Sequence, residues 1–238
     1  MDLALDRLVG EAWSGFLETP KNMRYLIAIG GIPGSGKTTL SKRLTAALNA
    51  RHAAQFPDQP QPVAAFVPMD GYHLTRAQLD AMPDPATAHA RRGAEFTFDG
   101  ERFYGLVQRL REPLTDKTGT VWAPSFDHAI KDPKEDDIAV ERTHRIVVLE
   151  GNYLLLNKPP WRQASQLASL KIFVSVSPDL ARKRLVARHL AAGLCATPEE
   201  ADRRAVENDL PNGEEIVRLR IEDVDDVVES REDGSWSS

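Results

Sequence analysis

Gly31, Ile32, Pro33, Gly34, Ser35, Gly36, Lys37, Thr38 and Thr39 run consecutively and spell G-x-x-x-x-G-K-T followed by a second threonine. Glycines at this spacing let successive backbone N–H groups converge on phosphate oxygens, and a helix starting behind them adds the positive end of its dipole. Lys37 is then placed to reach the β- and γ-phosphates, and the Thr38 hydroxyl to meet Mg²⁺. The chemistry implied is the binding of a nucleoside triphosphate, ATP in the simplest reading, together with its metal ion. Two carboxylates have the right setting to act beside it. Asp70 follows an apolar run in VPMDGYHLT, and Glu150 ends another in RIVVLEG. Asp70 could accept the proton of an attacking hydroxyl, or hold Mg²⁺ through water. Glu150 could hold Mg²⁺ through a water molecule or contact the acceptor, in the manner of the acid that ends a Walker-B strand.

These residues need a sheet whose carboxyl edge brings them together. Short apolar runs at 25–30, 63–68, 145–149, 170–176 and 225–229 are spaced widely enough for helical crossovers, which predicts a five-stranded, mainly parallel sheet covered by helices on both faces. The fold class expected is therefore α/β, a three-layer P-loop NTPase domain spanning residues 1–238. Leu5, Leu8, Ala12 and Phe16 recur at helical spacing, so residues 1–20 read as an amphipathic helix that stops at Pro20. From 83 to 142 the rhythm breaks around five prolines, with only 99–112 reading clearly as helix, and this stretch is expected as an excursion over the ligand-binding edge. The tail, 231–238, is polar and expected to fray.

Residues 178–210 carry Arg182, Lys183, Arg184, Arg188, Arg203 and Arg204 around a break at Gly193 and Pro198, the pattern of two helices forming a lid. Guanidinium groups closing over a γ-phosphate stabilise its charge and exclude water, and Arg188, nearest the turn, is favoured for that role. The excursion and the segments around it supply an acceptor pool: Tyr72, His73, Arg92, Phe98, Asp99, Asp127, His128 and Tyr153. Carboxylates can accept hydrogen bonds from hydroxyls and rings can stack on a sugar or base, which favours a neutral, hydroxylated small metabolite. Arg91 and Arg92 keep an acidic acceptor open as the alternative.

The balance of 30 Lys+Arg against 35 Asp+Glu gives a net charge of -5, which argues against a nucleic-acid partner or an anionic membrane surface. A lone cysteine, Cys195, allows no internal disulfide, no apolar run approaches a membrane span, and a cytoplasmic location is expected. Oligomeric state is not written in the chain, a homodimer being one option.

The ordered set GIPGSGKTT, MDGYHLT, RRGAEFTFD, PSFDHAIKDP, LEGNYLLL and NDLPNG resembles the uridine kinase, phosphoribulokinase and pantothenate kinase superfamily, and most of all its uridine-kinase-like and fructose-kinase-like proteins. The resemblance runs from residue 24 to 230. It implies an ATP- and Mg²⁺-dependent kinase acting on a hydroxyl of a small metabolite, with Asp70 as catalytic base and Asn212, in NDLPNG, near the adenine. True uridine kinases carry Y-D-F and H-x-R segments where this chain reads DGYHLT and FDHAIKD, so nucleoside specificity does not follow. A P-loop regulatory ATPase without a small-molecule acceptor is the competing function.

Overall fold

The structure is a computed structural model that describes residues 1–127 and 129–232. In chain order its elements are α1 (Asp2–Glu18), β1 (Tyr25–Gly31), α2 (Lys37–Gln55), β2 (Ala64–Pro68), α3 (Arg76–Asp80), α4 (Pro85–Ala90) and α5 (Gly100–Arg111). There follow β3 (Val121–Asp127), β4 (Asp132–Val140), β5 (Ile146–Gly151), α6 (Trp161–Gln166), β6 (Leu170–Ser175), α7 (Pro178–Ala191), α8 (Pro198–Arg204), α9 (Leu210–Arg218) and β7 (Asp226–Glu229).

Five strands form one parallel sheet in the order β2-β5-β1-β6-β7. Both faces are buried, so the strands read as continuous apolar runs and alternate residues serve opposite sides. Ile27, Ile29, Ile146 and Val148 pack towards α1 and α2 with Leu8, Trp13, Leu40 and Leu44. Leu26, Ala28, Val147 and Leu149 pack the other way, with Phe103, Leu106, Trp161 and Ile216 from α5, α6 and α9. These two layers hold the central strands rigidly, and the register pairs Gly30 with Gly151 and Pro68 with Glu150 at one edge.

The expected excursion contains an antiparallel β3–β4 hairpin that the sequence reading did not place. β3 lies directly over the turn after β2. A Cβ on Gly71 would stand 2.1 Å from the Pro124 carbonyl oxygen, so only glycine lets the hairpin cross the chain beside Asp70. The segment expected to form a lid folds as two helices, α7 and α8, then continues through a π-helical turn, Ala205–Asp209, straight into α9. Such turns are rare and recur at functional sites. The expected tail falls largely outside the described residues, and among those described no helix is long and apolar enough to cross a membrane.

Candidate active site

β1 delivers the chain into the glycine loop at the centre of the sheet. Gly34 and Gly36 take φ values of +81° and +83°, the left-handed region that glycine enters at no steric cost. At Gly34 a side chain would also meet the Ala181 carbonyl oxygen at 2.8 Å, so α7 seals the outside of the loop. Arg184 of α7 donates to the Gly34 carbonyl at 3.2 Å and to Ser230 Oγ at 2.7 Å. Inside the loop, Ser35 Oγ is buried with no hydrogen-bond partner among the described residues. An open cradle of left-handed glycines with an unspent buried hydroxyl is the donor set a triphosphate requires.

Lys37 begins α2 and is 8% exposed, its Nζ 3.5 Å from the Ile32 carbonyl oxygen and 3.9 Å from Glu150 Oε1. Both contacts are long, which leaves the ammonium able to donate to phosphate oxygens arriving in the loop. Burial pushes the Lys37 pKa down, with Glu150 and Asp70 pulling the other way. Burial also pushes Glu150 up to about 7, the Lys37 charge and a hydrogen bond from Thr38 opposing the rise and Asp70 adding to it. Asp70, at the head of the turn after β2, is exposed and points its charge into the same space. Thr38 is likewise exposed. The expected Asp70, Glu150, Lys37 and Thr38 thus meet at one edge.

Of the arginines on α7, Arg182 makes two hydrogen bonds to Asp202, at 2.5 and 2.6 Å, and so fastens α7 to α8. Arg188 is exposed and lies 4.0 Å from Asp209, loosely enough to be recruited elsewhere. Asp209 is shared with His189, which is buried and approaches it at 2.9 Å. The sequence reading passed over His189, whose only signal is its place beside Arg188.

The acceptor pool is split by the structure. His73 faces the surface beside Asp70, its ring 4.0 Å from that of Phe98 and 4.9 Å from that of Phe126, with Nδ1 2.8 Å from the Asp70 carbonyl oxygen. Tyr153 is corrected from acceptor contact to core: it is 0% exposed and its hydroxyl donates to the Gly93 carbonyl at 2.8 Å. Phe98 at 7% and Tyr72 at 3% are also mainly interior, Tyr72 packed edge-on against Phe103. Arg92 spends both terminal nitrogens within the protein. It donates to the Lys131 and Leu74 carbonyls and to Asp132 at 2.9 Å while lying over the Phe126 ring, which makes it the brace of the excursion. Asp99 caps α5 by accepting from Arg102 N, and Asp127 accepts from Ala129 N and Ile130 N, so one oxygen of each already serves the backbone. His128 lies outside the described residues. Asn212, 2% exposed, accepts from Arg91 at 2.7 Å, and Arg91 also reaches Asn208 at 3.0 Å. Both amides are buried, and Gly213, the next residue, packs against Ile32 of the glycine loop, where a Cβ would stand 3.3 Å from the Ile32 Cβ, so Asn212 lies beside the cradle with its amide oxygen held by Arg91.

A parallel sheet with a glycine cradle, a buried lysine and two strand-end acids at one edge defines a P-loop phosphotransferase. The chain belongs to the Phosphoribulokinase / Uridine kinase family, whose profile matches residues 26–192. It is 53% identical over 168 residues, 71% of this chain and 95% of the other, to the ATP-dependent kinase-like protein notR' of Aspergillus versicolor. Among solved structures it is similar to a protein of Silicibacter sp. TM1040 described as a candidate fructose transport system kinase, with 35% identity, a TM-score of 0.77, and coverage of 94% of this chain and 98% of that one. The fold is shared with YFH7 of Saccharomyces cerevisiae at a TM-score of 0.83 and 24% identity, over 96% of this chain and 99% of that one. The protein is a kinase, and its family uses ATP to phosphorylate small metabolites.

Proposed function

We propose that the protein transfers the γ-phosphoryl group of ATP to a hydroxyl of a neutral, polyhydroxylated metabolite, sugar-like or nucleoside-like, with Asp70 as the general base. The observation that carries this reading is the exposed Asp70 carboxylate, coupled electrostatically to Lys37 and Glu150 across the mouth of the glycine loop. The loop N–H groups and Ser35 hold the β- and γ-phosphates, and the Lys37 ammonium stabilises the charge that builds between them. Asp70 accepts the acceptor's hydroxyl proton as its oxygen forms the new bond to phosphorus and the bridging oxygen leaves on ADP. Arg188, swung from Asp209, closes over the transferring group and excludes water, so that hydrolysis does not compete.

Among the described residues no cluster of three or more His, Cys, Asp or Glu could hold a metal alone, so Mg²⁺ would enter with the nucleotide. Thr38 would hold it, with Glu150 behind, and when bound it would neutralise phosphate charge. The acceptor would lie beside His73, whose half-buried ring packs against those of Phe98 and Phe126.

The test is an ATP-consumption screen over sugars, nucleosides, vitamins and their phosphates, followed by Asp70→Asn on the best acceptor. The variant is expected to lose about a hundredfold or more in kcat while ATP affinity stays near that of the wild type. Slow ATP turnover that no metabolite accelerates would instead leave a regulatory ATPase, and a proportional loss of ATP affinity would make Asp70 a metal or nucleotide ligand.

A further inference from the structure

Arg24 carries a full charge into the interior at the end of the sheet opposite the glycine loop. It immediately precedes β1 and is 1% exposed. Its Nε donates to the His144 carbonyl at 3.1 Å and its Nη1 to the Leu110 carbonyl at 3.4 Å, while Nη2 has no partner among the described residues. Burial pushes its pKa down, and among the described residues no carboxylate offsets the effect. Burying an unpaired cation costs on the order of several kcal/mol, and the half-charge at the C-terminal end of α5, where Leu110 lies, returns only part of that.

Arg24 forms part of the wall of a cavity of about 600 Å³ that also carries Arg109, Lys117, Glu112 and the hydroxyls of Thr115 and Thr118. Three cations there face a single carboxylate. The other acid of this loop, Asp116, is turned away to Arg142 at 2.9 Å. Guanidinium forks match a phosphate group bidentately, and its terminal oxygens can use the lysine and hydroxyl donors beside them.

We propose that this cavity is a second anion site, taking a small phosphate-bearing molecule held by the exposed Arg109 and Lys117 at its rim, with the charge of Arg24 buried beneath its floor. It is separate from the nucleotide site, since the seven residues of β1 place the two edges roughly 20 Å apart. α5 joins them. Its last turn carries Arg109 and the Leu110 carbonyl that holds Arg24, while at its first turn Arg102 lies over the Tyr72 ring, two residues from Asp70.

Isothermal titration with inorganic pyrophosphate tests the proposal, using the full chain saturated with Mg²⁺ and a non-hydrolysable ATP analogue so that the glycine loop is already filled. One saturable equivalent is expected in the wild type. Arg109→Ala/Lys117→Ala, which alters two exposed side chains and should leave the fold intact, is expected to weaken it about tenfold or more. Absence of a saturable equivalent in the wild type, or an equivalent unchanged in the double variant, overturns the proposal.

Discussion

Lys37 and Glu150 face each other at 3.9 Å in the interior, a separation at which attraction does not cancel the loss of hydration. The carboxyl consequently titrates near 7 instead of 4.5. In that interval the folded chain binds more protons than the unfolded one, so this group's contribution to stability falls as pH rises from about 4.5 to about 7 and is level outside those limits. Glu150→Gln removes the dependence. The difference in unfolding midpoint without nucleotide, variant minus wild type, is expected to rise with pH across that window; a flat difference would show that Glu150 ionises freely. The glycine loop, Lys37 and both acids were readable in the sequence because each is fixed by local pattern at a strand end. The role of Tyr153 was not, since an aromatic residue after a strand is the same letter in a pocket as in a core. Arg92 was equally opaque, because its acceptors are carbonyls that any residue type supplies.

At the scale of elements, Arg91 ties the excursion to the π-helical turn. Its guanidinium holds the side chains of Asn208 and Asn212, and Asn208 donates back to the Arg92 carbonyl at 3.2 Å. Arg91→Ala strands two buried amide oxygens, which costs about 2–4 kcal/mol in this region. The expected result is faster backbone hydrogen exchange confined to 88–95 and 205–213, with the central strands unchanged; uniform protection throughout would mean the link is not structural. The five strands and α1 were legible because buried strands and an amphipathic helix each leave a periodic apolar trace. The β3–β4 hairpin left none. Pro124 and Pro133 interrupt its strands, Lys134 to Asp137 are all exposed, the register slips between Ala123 and Ser125, and non-glycine residues, Lys131 and Asp136, occupy its left-handed positions. Every usual signal of a hairpin was therefore missing or inverted.

At the scale of the whole molecule, the family profile begins at residue 26, after α1 has ended, yet α1 supplies one side of the core. Leu8, Ala12, Trp13 and Phe16 are buried against α2 and β1; Trp13 donates to Gln55 at 3.1 Å and its ring sits among those of His52 and Phe56. Tyr25 is packed so closely that a Cβ on Gly15 would fall 2.5 Å from its hydroxyl. A chain lacking residues 1–18 no longer has to order that helix, so the helix's own entropy drops out of the comparison. What remains is the apolar surface of α2, β1 and Phe56 left facing water. At ~25 cal/mol per Å², uncovering roughly 200 Å² of it costs about 5 kcal/mol, a large part of the ~5–15 kcal/mol that keeps a domain folded. For a chain of this size that corresponds to a fall in Tm of about 10 °C or more, accompanied by self-association through the exposed face. The glycine loop and both strand-end acids are untouched, so affinity for an ATP analogue measured well below the transition should be close to that of the full chain. Thermal unfolding of the truncated and full chains side by side decides the matter, and midpoints within about 2 °C of each other would reduce α1 to an accessory lying on a core that is already complete.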